Sequence, residues 1–127
     1  MRVYVDSDVL IWHLRGEKKA AAFLRKLAST AEIELWTGAM QRAEIVFFMR
    51  AGEEAATMSL LSRLKTQPVT QVIVDLAGTI YRRWRPSHGV DVNDALLAAS
   101  VATTGGKIVT RNVRHFPMPD VVVEKAW

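Results

Sequence analysis

Short β-branched runs alternate with helix-patterned segments along this chain, and few architectures satisfy that alternation. Residues 2–6 (Arg2-Val3-Tyr4-Val5-Asp6) are apolar, β-branched and aromatic with no helical period, so they read as a buried strand. Ser7 or Asp8 caps a short helix reaching about Leu14. Gly16 closes it, and Glu17 to about Ala28 is a second helix with Ala22, Phe23 and Leu27 facing inward. Ile33 to Trp36 is the second strand. Thr37 then caps a helix through Arg50 that Gly52 stops, and Glu53 to Leu64 continues as helix until Pro68 blocks it. Gln67 to Val72 holds a short strand, and a helix from about Val74 to Arg85 ends before Pro86. Asp91 caps a helix over 92–104 that stops at Gly105-Gly106. Lys107–Thr110 and Val121–Val123 are the last strands. Strands separated by helices run parallel, so the expected fold class is α/β: a parallel sheet of about four to five strands wrapped by helices on both faces. The length of 127 residues suits one domain, 1–127.

Three carboxylates stand where apolar residues would be cheaper. Asp6 closes the first strand, Glu44 interrupts Ala43-Glu44-Ile45-Val46-Phe47-Phe48-Met49, and Asp94 heads Asp94-Ala95-Leu96-Leu97-Ala98-Ala99. On a helix from Thr37, the neighbours of Glu44 at i−4, i+3 and i+4 are Met40, Phe47 and Phe48, a packing face. An isolated buried carboxylate costs several kcal/mol, roughly, or takes up a proton. Converging on a shared divalent cation relieves all three at once. Parallel sheets place sites at the carboxyl ends of their strands, where Asp6, Thr37 and Arg111-Asn112 fall. Asp91, one turn before Asp94, is first a helix cap and second a ligand. Asn112 is a neutral candidate, and His115 can reach the same region. Oxygen-only ligands select Mg²⁺ or Mn²⁺ rather than zinc, which points to metal-assisted hydrolysis of phosphodiesters.

Charge narrows the substrate. The net charge is +4, but setting Asp6, Glu44, Asp91 and Asp94 aside leaves nine of 13 acids against 17 basic residues. That +8 remainder suits a polyanion. Ser7, Arg111, Arg114, Arg82 and Arg85 are the candidate contacts to RNA, with Trp84 between the last two as a core residue or a stacking surface. The chain has no cysteine, so disulfides, zinc knuckles and a thiol nucleophile are excluded. No apolar run approaches the roughly 20 residues that span a bilayer, and Asp6 and Asp8 break the N-terminal run, which is no signal peptide. A cytoplasmic location is expected.

The segments Val5-Asp6-Ser7-Asp8-Val9-Leu10-Ile11, Ala43-Glu44-Ile45, Asp94-Ala95-Leu96-Leu97-Ala98-Ala99, and Val109-Thr110-Arg111-Asn112 with His115-Phe116 together resemble a PIN domain. Their order and separations resemble the VapC-type toxins of type II toxin–antitoxin systems. The resemblance implies a Mg²⁺- or Mn²⁺-dependent endoribonuclease with Asp6, Glu44 and Asp94 as metal and catalytic residues. It also implies a homodimer and a VapB-like antitoxin whose tail blocks the site. One departure stands out: the family's fourth acidic position, after the strand 107–110, holds Asn112 and His115, and no carboxylate follows until Asp120.

Two rivals remain at this level. Asp6-Ser7-Asp8 at a strand end resembles the nucleophile motif of haloacid-dehalogenase phosphatases, but Val9-Leu10 replaces the expected Gly-Thr and Glu44 has no role there. A PIN-like module that binds RNA or a partner without cutting is the other.

Overall fold

The computed structural model describes Met1 to Trp127. Its strands are β1 (Arg2–Val5), β2 (Glu34–Gly38), β3 (Lys65–Gln67), β4 (Lys107–Thr110) and β5 (Val122–Lys125). Six helices connect them: α1 (Ser7–Leu14), α2 (Lys18–Ser29), α3 (Ala39–Val46), α4 (Glu54–Leu61), α5 (Gln71–His88) and α6 (Val92–Thr104). The sheet order is β3-β2-β1-β4-β5, and every pairing is parallel, as the alternation of strands and helices requires.

β1 lies at the centre, and Val3, Tyr4 and Val5 are fully buried. Alternate side chains leave opposite faces of the sheet. Val3 and Val5 enter a core shared with Val9, Leu10, Leu24, Leu61 and Val109, while Tyr4 enters a second core with Ile73, Ala98, Leu97 and Ile108. This explains why the strand reads as a continuous apolar run: helices cover both faces. Between α6 and β4, Gly106 has φ +102°, and a side chain there would run into the carbonyl of Arg2. The double glycine therefore lets β4 lie against β1.

Several boundaries differ from the sequence expectation, each for a local reason. Thr37 belongs to β2 and is fully buried; its hydroxyl donates to the Val5 carbonyl at 2.8 Å and is not free to cap α3. Gly38 takes the cap position instead. α3 ends at Val46 rather than Arg50, leaving Phe47 and Phe48 81% and 80% exposed instead of packed. Those two therefore do not make the face of Glu44 a buried one. α5 runs through Pro86 to His88. A proline removes the bond to the fourth preceding carbonyl, which matters little in an exposed last turn, and Gly89 then closes the helix in left-handed backbone at φ 64°. β3 is Lys65–Gln67 rather than 67–72, because Pro68 has no N–H to extend it. β5 begins one residue late and runs on through Glu124 and Lys125, an edge whose polar side chains gave no apolar signal. On α2, Ala22 is exposed and Phe23 half-buried; Ala20, Leu24 and Leu27 form the inward stripe.

Candidate active site

The strand order reverses at β1, whose neighbours are β2 on one side and β4 on the other. A crevice opens beyond the carboxyl ends at such a point. Asp6 sits in it directly after β1, and it is Asp6, not Ser7 or Asp8, that caps α1: its Oδ1 accepts the Ser7 N–H at 2.8 Å. Its Oδ2 accepts the Thr110 hydroxyl from the end of β4 at 2.9 Å. Asp8 shares that hydroxyl at 3.3 Å and also accepts the Arg111 N–H at 3.0 Å. Even with these donors the Asp6 carboxyl is pushed up to about 7, first by burial and then by the charge of Asp8. Burial also pushes Asp8 up.

Glu44 spans the crevice from α3. Its Oε2 accepts the Ser7 hydroxyl and its Oε1 the Asn93 amide, both at 3.0 Å, so the first turns of α1 and α6 hold one carboxylate between them. A neighbouring bond sets this spacing. The buried Gln41 donates from Nε2 to the Asn93 carbonyl at 3.1 Å. A Cβ at Gly38 would collide with Gln41 Oε1, so the glycine before α3 makes room for the strut that places Asn93.

Asp94 and Asp91 form a reciprocal capping box. Asp91 Oδ1 accepts the Asp94 N–H at 2.7 Å, and Asp94 Oδ2 accepts the Asp91 N–H at 3.3 Å. The Asp94 carboxyl is also raised to about 7, chiefly by burial, then by the charges of Asp91 and Glu44. Asp94 in turn raises Asp6, so the three acids act on one another across the crevice. His115 Nδ1 lies 3.2 Å from Asp94 Oδ2, and Asn112 Nδ2 lies 3.0 Å from the same ring nitrogen.

The structure thus gathers Asp6, Ser7, Glu44, Asp91 and Asp94, with Asn112 joined to them by its backbone N–H, which donates to the Thr110 hydroxyl at 3.0 Å, and by its side chain through His115. Asp8, Asn93 and Thr110 also belong to the cluster; the sequence offered Asp8 only as a helix cap and in the phosphatase rival, and Asn93 and Thr110 not as ligands or catalytic groups of the leading reading. The Asp-x-Asp spacing was read for the phosphatase alone, whereas Thr110 had no local signal at all. Arg111 and Arg114 are exposed beside the crevice, and the Arg111 guanidinium stands 4.9 Å from the Trp127 ring. Arg82 and Arg85 lie on α5, bonded to Thr79 and to the carbonyl of Val90, the residue before Asp91, and neither forms an ion pair with an acid. Trp84 packs half-buried on the core between them.

The donor set is entirely oxygen, which fits Mg²⁺ or Mn²⁺. No three acidic or His side chains already stand in a ligating cluster, so closing on an ion takes side-chain rotation. The raised carboxyls of Asp6 and Asp94 are what a cation would relieve. By chemistry and by charge, the residues fit the ion.

A family model described as the PIN domain matches residues 3–120. Ribonuclease VapC19 of Mycobacterium tuberculosis is 37% identical over 119 residues, covering 92% of this chain and 94% of that protein. Ribonuclease VapC10 of the same organism is 38% identical over 117 residues, covering 91% and 86%. Among solved structures, VapBC2 from Rickettsia felis bound to a DNA fragment from their promoter superposes with a TM-score of 0.78 at 19% identity, covering 100% of this chain and 99% of that one. At that identity the likeness speaks for the fold.

Proposed function

The chain belongs to the PIN-domain family, and on that premise we propose that it is a VapC-type endoribonuclease, the toxin of a toxin–antitoxin pair. Relatives named ribonucleases, 37% and 38% identical over nine-tenths of the chain, support the activity. The likeness to a VapBC complex supports a VapB-like antitoxin as partner. Residues 1–127 act as one domain, as a homodimer in the cytoplasm; no helix is long and apolar enough to cross a membrane.

Asp6, Glu44 and Asp94 are the catalytic acids and would hold the Mg²⁺ or Mn²⁺, with Asp91 and Asn112 as further ligand positions. The observation that carries this reading is the convergence of three carboxylates from separate elements on one crevice, with Glu44 held there by Ser7 and Asn93 and none of the three paired with an arginine. A bound divalent ion supplies Lewis-acid polarisation of the scissile phosphate. Glu44, aimed by Ser7 and Asn93, orients a water toward phosphorus. The water oxygen bonds to phosphorus as an ester P–O bond breaks, leaving one phosphate monoester and one hydroxyl. Thr110 fixes Asp6 through the hydroxyl it shares with Asp8. Asp91 keeps Asp94 in its rotamer as cap partner, and Asn112 reaches the site through His115. Ser7, Arg111 and Arg114 face the substrate side, with Arg82 and Arg85 as distant contacts. The phosphatase reading leaves Glu44 without a role, whereas here it joins two helices at the crevice.

The test is cleavage of total RNA by wild type, Glu44→Gln and Asp94→Asn with Mg²⁺, with Mn²⁺ and with EDTA. Discrete fragments from metal-supplied wild type alone, with both variants folded and inert, are expected. Cleavage that persists in EDTA or in either variant would overturn the assignment.

A further inference from the structure

Beside Glu44 a groove of about 230 Å³ leads away from the crevice between α1 and the turn after α3. Ile11, Leu14 and Arg15 line one side; Phe48, Met49 and Arg50 line the other. Phe48 is 80% exposed and Phe47, next to it, 81%. Two adjacent aromatic rings left this open are costly unless something covers them. Arg15 and Arg50 are both unpaired: the ion pairs of the chain are Lys65–Glu34 and Lys107–Glu124, and no arginine lies within ion-pair distance of an acid. Two acids also line the groove: Glu44 at its crevice end, held by Ser7 and Asn93, and Glu53, turned to the Arg50 backbone N–H at 2.6 Å. Arg15 also lies 6.0 Å from the ring of Trp12, which is 40% exposed.

We propose that this groove is the track for single-stranded RNA leaving the acidic crevice, with Phe48 as a base-stacking platform and Arg15 and Arg50 as its phosphate contacts. Aromatic faces flanked by unpaired guanidinium groups are the composition that binds single strands without reading sequence. α1 carries Asp6, Ser7 and Asp8 at its first turn and Arg15 just past its last, about 12 Å further along. A strand whose phosphate reaches Glu44 therefore runs naturally along the helix onto Phe48. The proposal rests on the ribonuclease reading and adds the direction of the strand and the residues that hold it.

Binding of a short fluorescein-labelled single-stranded oligoribonucleotide of mixed sequence, followed by fluorescence anisotropy in EDTA across a salt series, tests it. Phe48→Leu should weaken binding at least about 5-fold, and Phe48→Trp should retain it. Arg15→Gln and Arg50→Gln should each lower the salt slope by about 0.7. All three positions are at the surface, so the melting temperature should hold. Phe48→Leu binding as tightly as wild type, while wild type still cleaves RNA with metal, would overturn the track and leave the nuclease standing. Unchanged RNA binding with weakened binding of the co-purified antitoxin would give the groove to a protein partner and overturn it equally. A wild type that neither binds nor cleaves RNA would remove the nuclease reading, and the track with it.

Discussion

Replacing Asp6 by Asn takes one charge from the acidic cluster and little else. Asn caps helices as well as Asp, so its oxygen keeps the Ser7 N–H. Its amide can donate to Thr110 Oγ1 once that hydroxyl turns round. In the wild type the Asp6 carboxyl is raised from 3.8 to about 7 by burial and then by Asp8. Below pH 4 the group is protonated whether the chain is folded or not, and stability is at its fullest. Between pH 4 and 7 the unfolded chain releases its proton while the folded chain keeps it, so stability falls by about 1.4 kcal/mol per pH unit. Over about three units the loss is on the order of 4 kcal/mol, or about 2–4 once the site's relaxation and water are allowed for.

Asp6→Asn escapes that loss. At about 3–5 °C per kcal/mol for a chain of this size, it should melt about 6–20 °C above wild type at pH 8 in EDTA. Near pH 4 the two should nearly coincide. Mg²⁺ should then close the gap at pH 8, since an ion at 100 times its dissociation constant stabilises wild type by about 2.7 kcal/mol. Thermal melts followed by circular dichroism at three pH values, with EDTA or Mg²⁺, give all of these quantities. A gap that does not widen with pH, or a variant less stable than wild type at pH 8 in EDTA, would refute the charge-repulsion account.

Gly38→Ala should lower stability by about 1–3 kcal/mol, because its Cβ meets Gln41 Oε1. It should also reduce cleavage, since Gln41 places Asn93 and Asn93 aims Glu44; activity unchanged at equal stability would sever that chain of contacts. Arg111→Gln should lower the salt slope of RNA binding by about 0.7, as one phosphate contact is lost. An unaltered slope would confine Arg111 to its contact with Trp127.

What the sequence made legible follows from how far each signal reaches along the chain. Parallel topology was readable because helix-patterned segments separate short β-branched strands, and Asp91 and Gly105 punctuate α6 as expected. Phe47 and Phe48 misled because helical periodicity continues past Val46, whereas the chain turns away there with nothing to pack against. Asp6 was read as free of capping duty because Ser7 and Asp8 were equally good caps; only the backbone angle after β1 decides among three adjacent candidates. Thr110, Asn93 and His115 enter the site by contacts that are not local. Thr110 meets Asp6 across 104 residues and Asn93 meets Glu44 across 49, and no short window carries such pairs.

Capping alone does not account for these carboxylates. Asp6 is the N-cap of α1, and Asp94 closes a capping box on α6, both at the positive ends of helix dipoles. A cap contributes about 1 kcal/mol, and the dipole about 0.3–1, rising to about 2 in partly buried geometries. Both effects favour the ionised form, yet both carboxyls are raised to about 7, so burial and mutual repulsion outweigh them. A serine or asparagine would cap α1 without carrying a charge at all. Carboxylates at both helix starts, with Glu44 held toward them by Ser7 and Asn93, make sense as groups whose repulsion is to be spent on something positive. A divalent cation bound at the crevice, as proposed, would recover there what the metal-free fold gives up. Stability in its absence and chemistry in its presence are therefore two sides of one arrangement of charge.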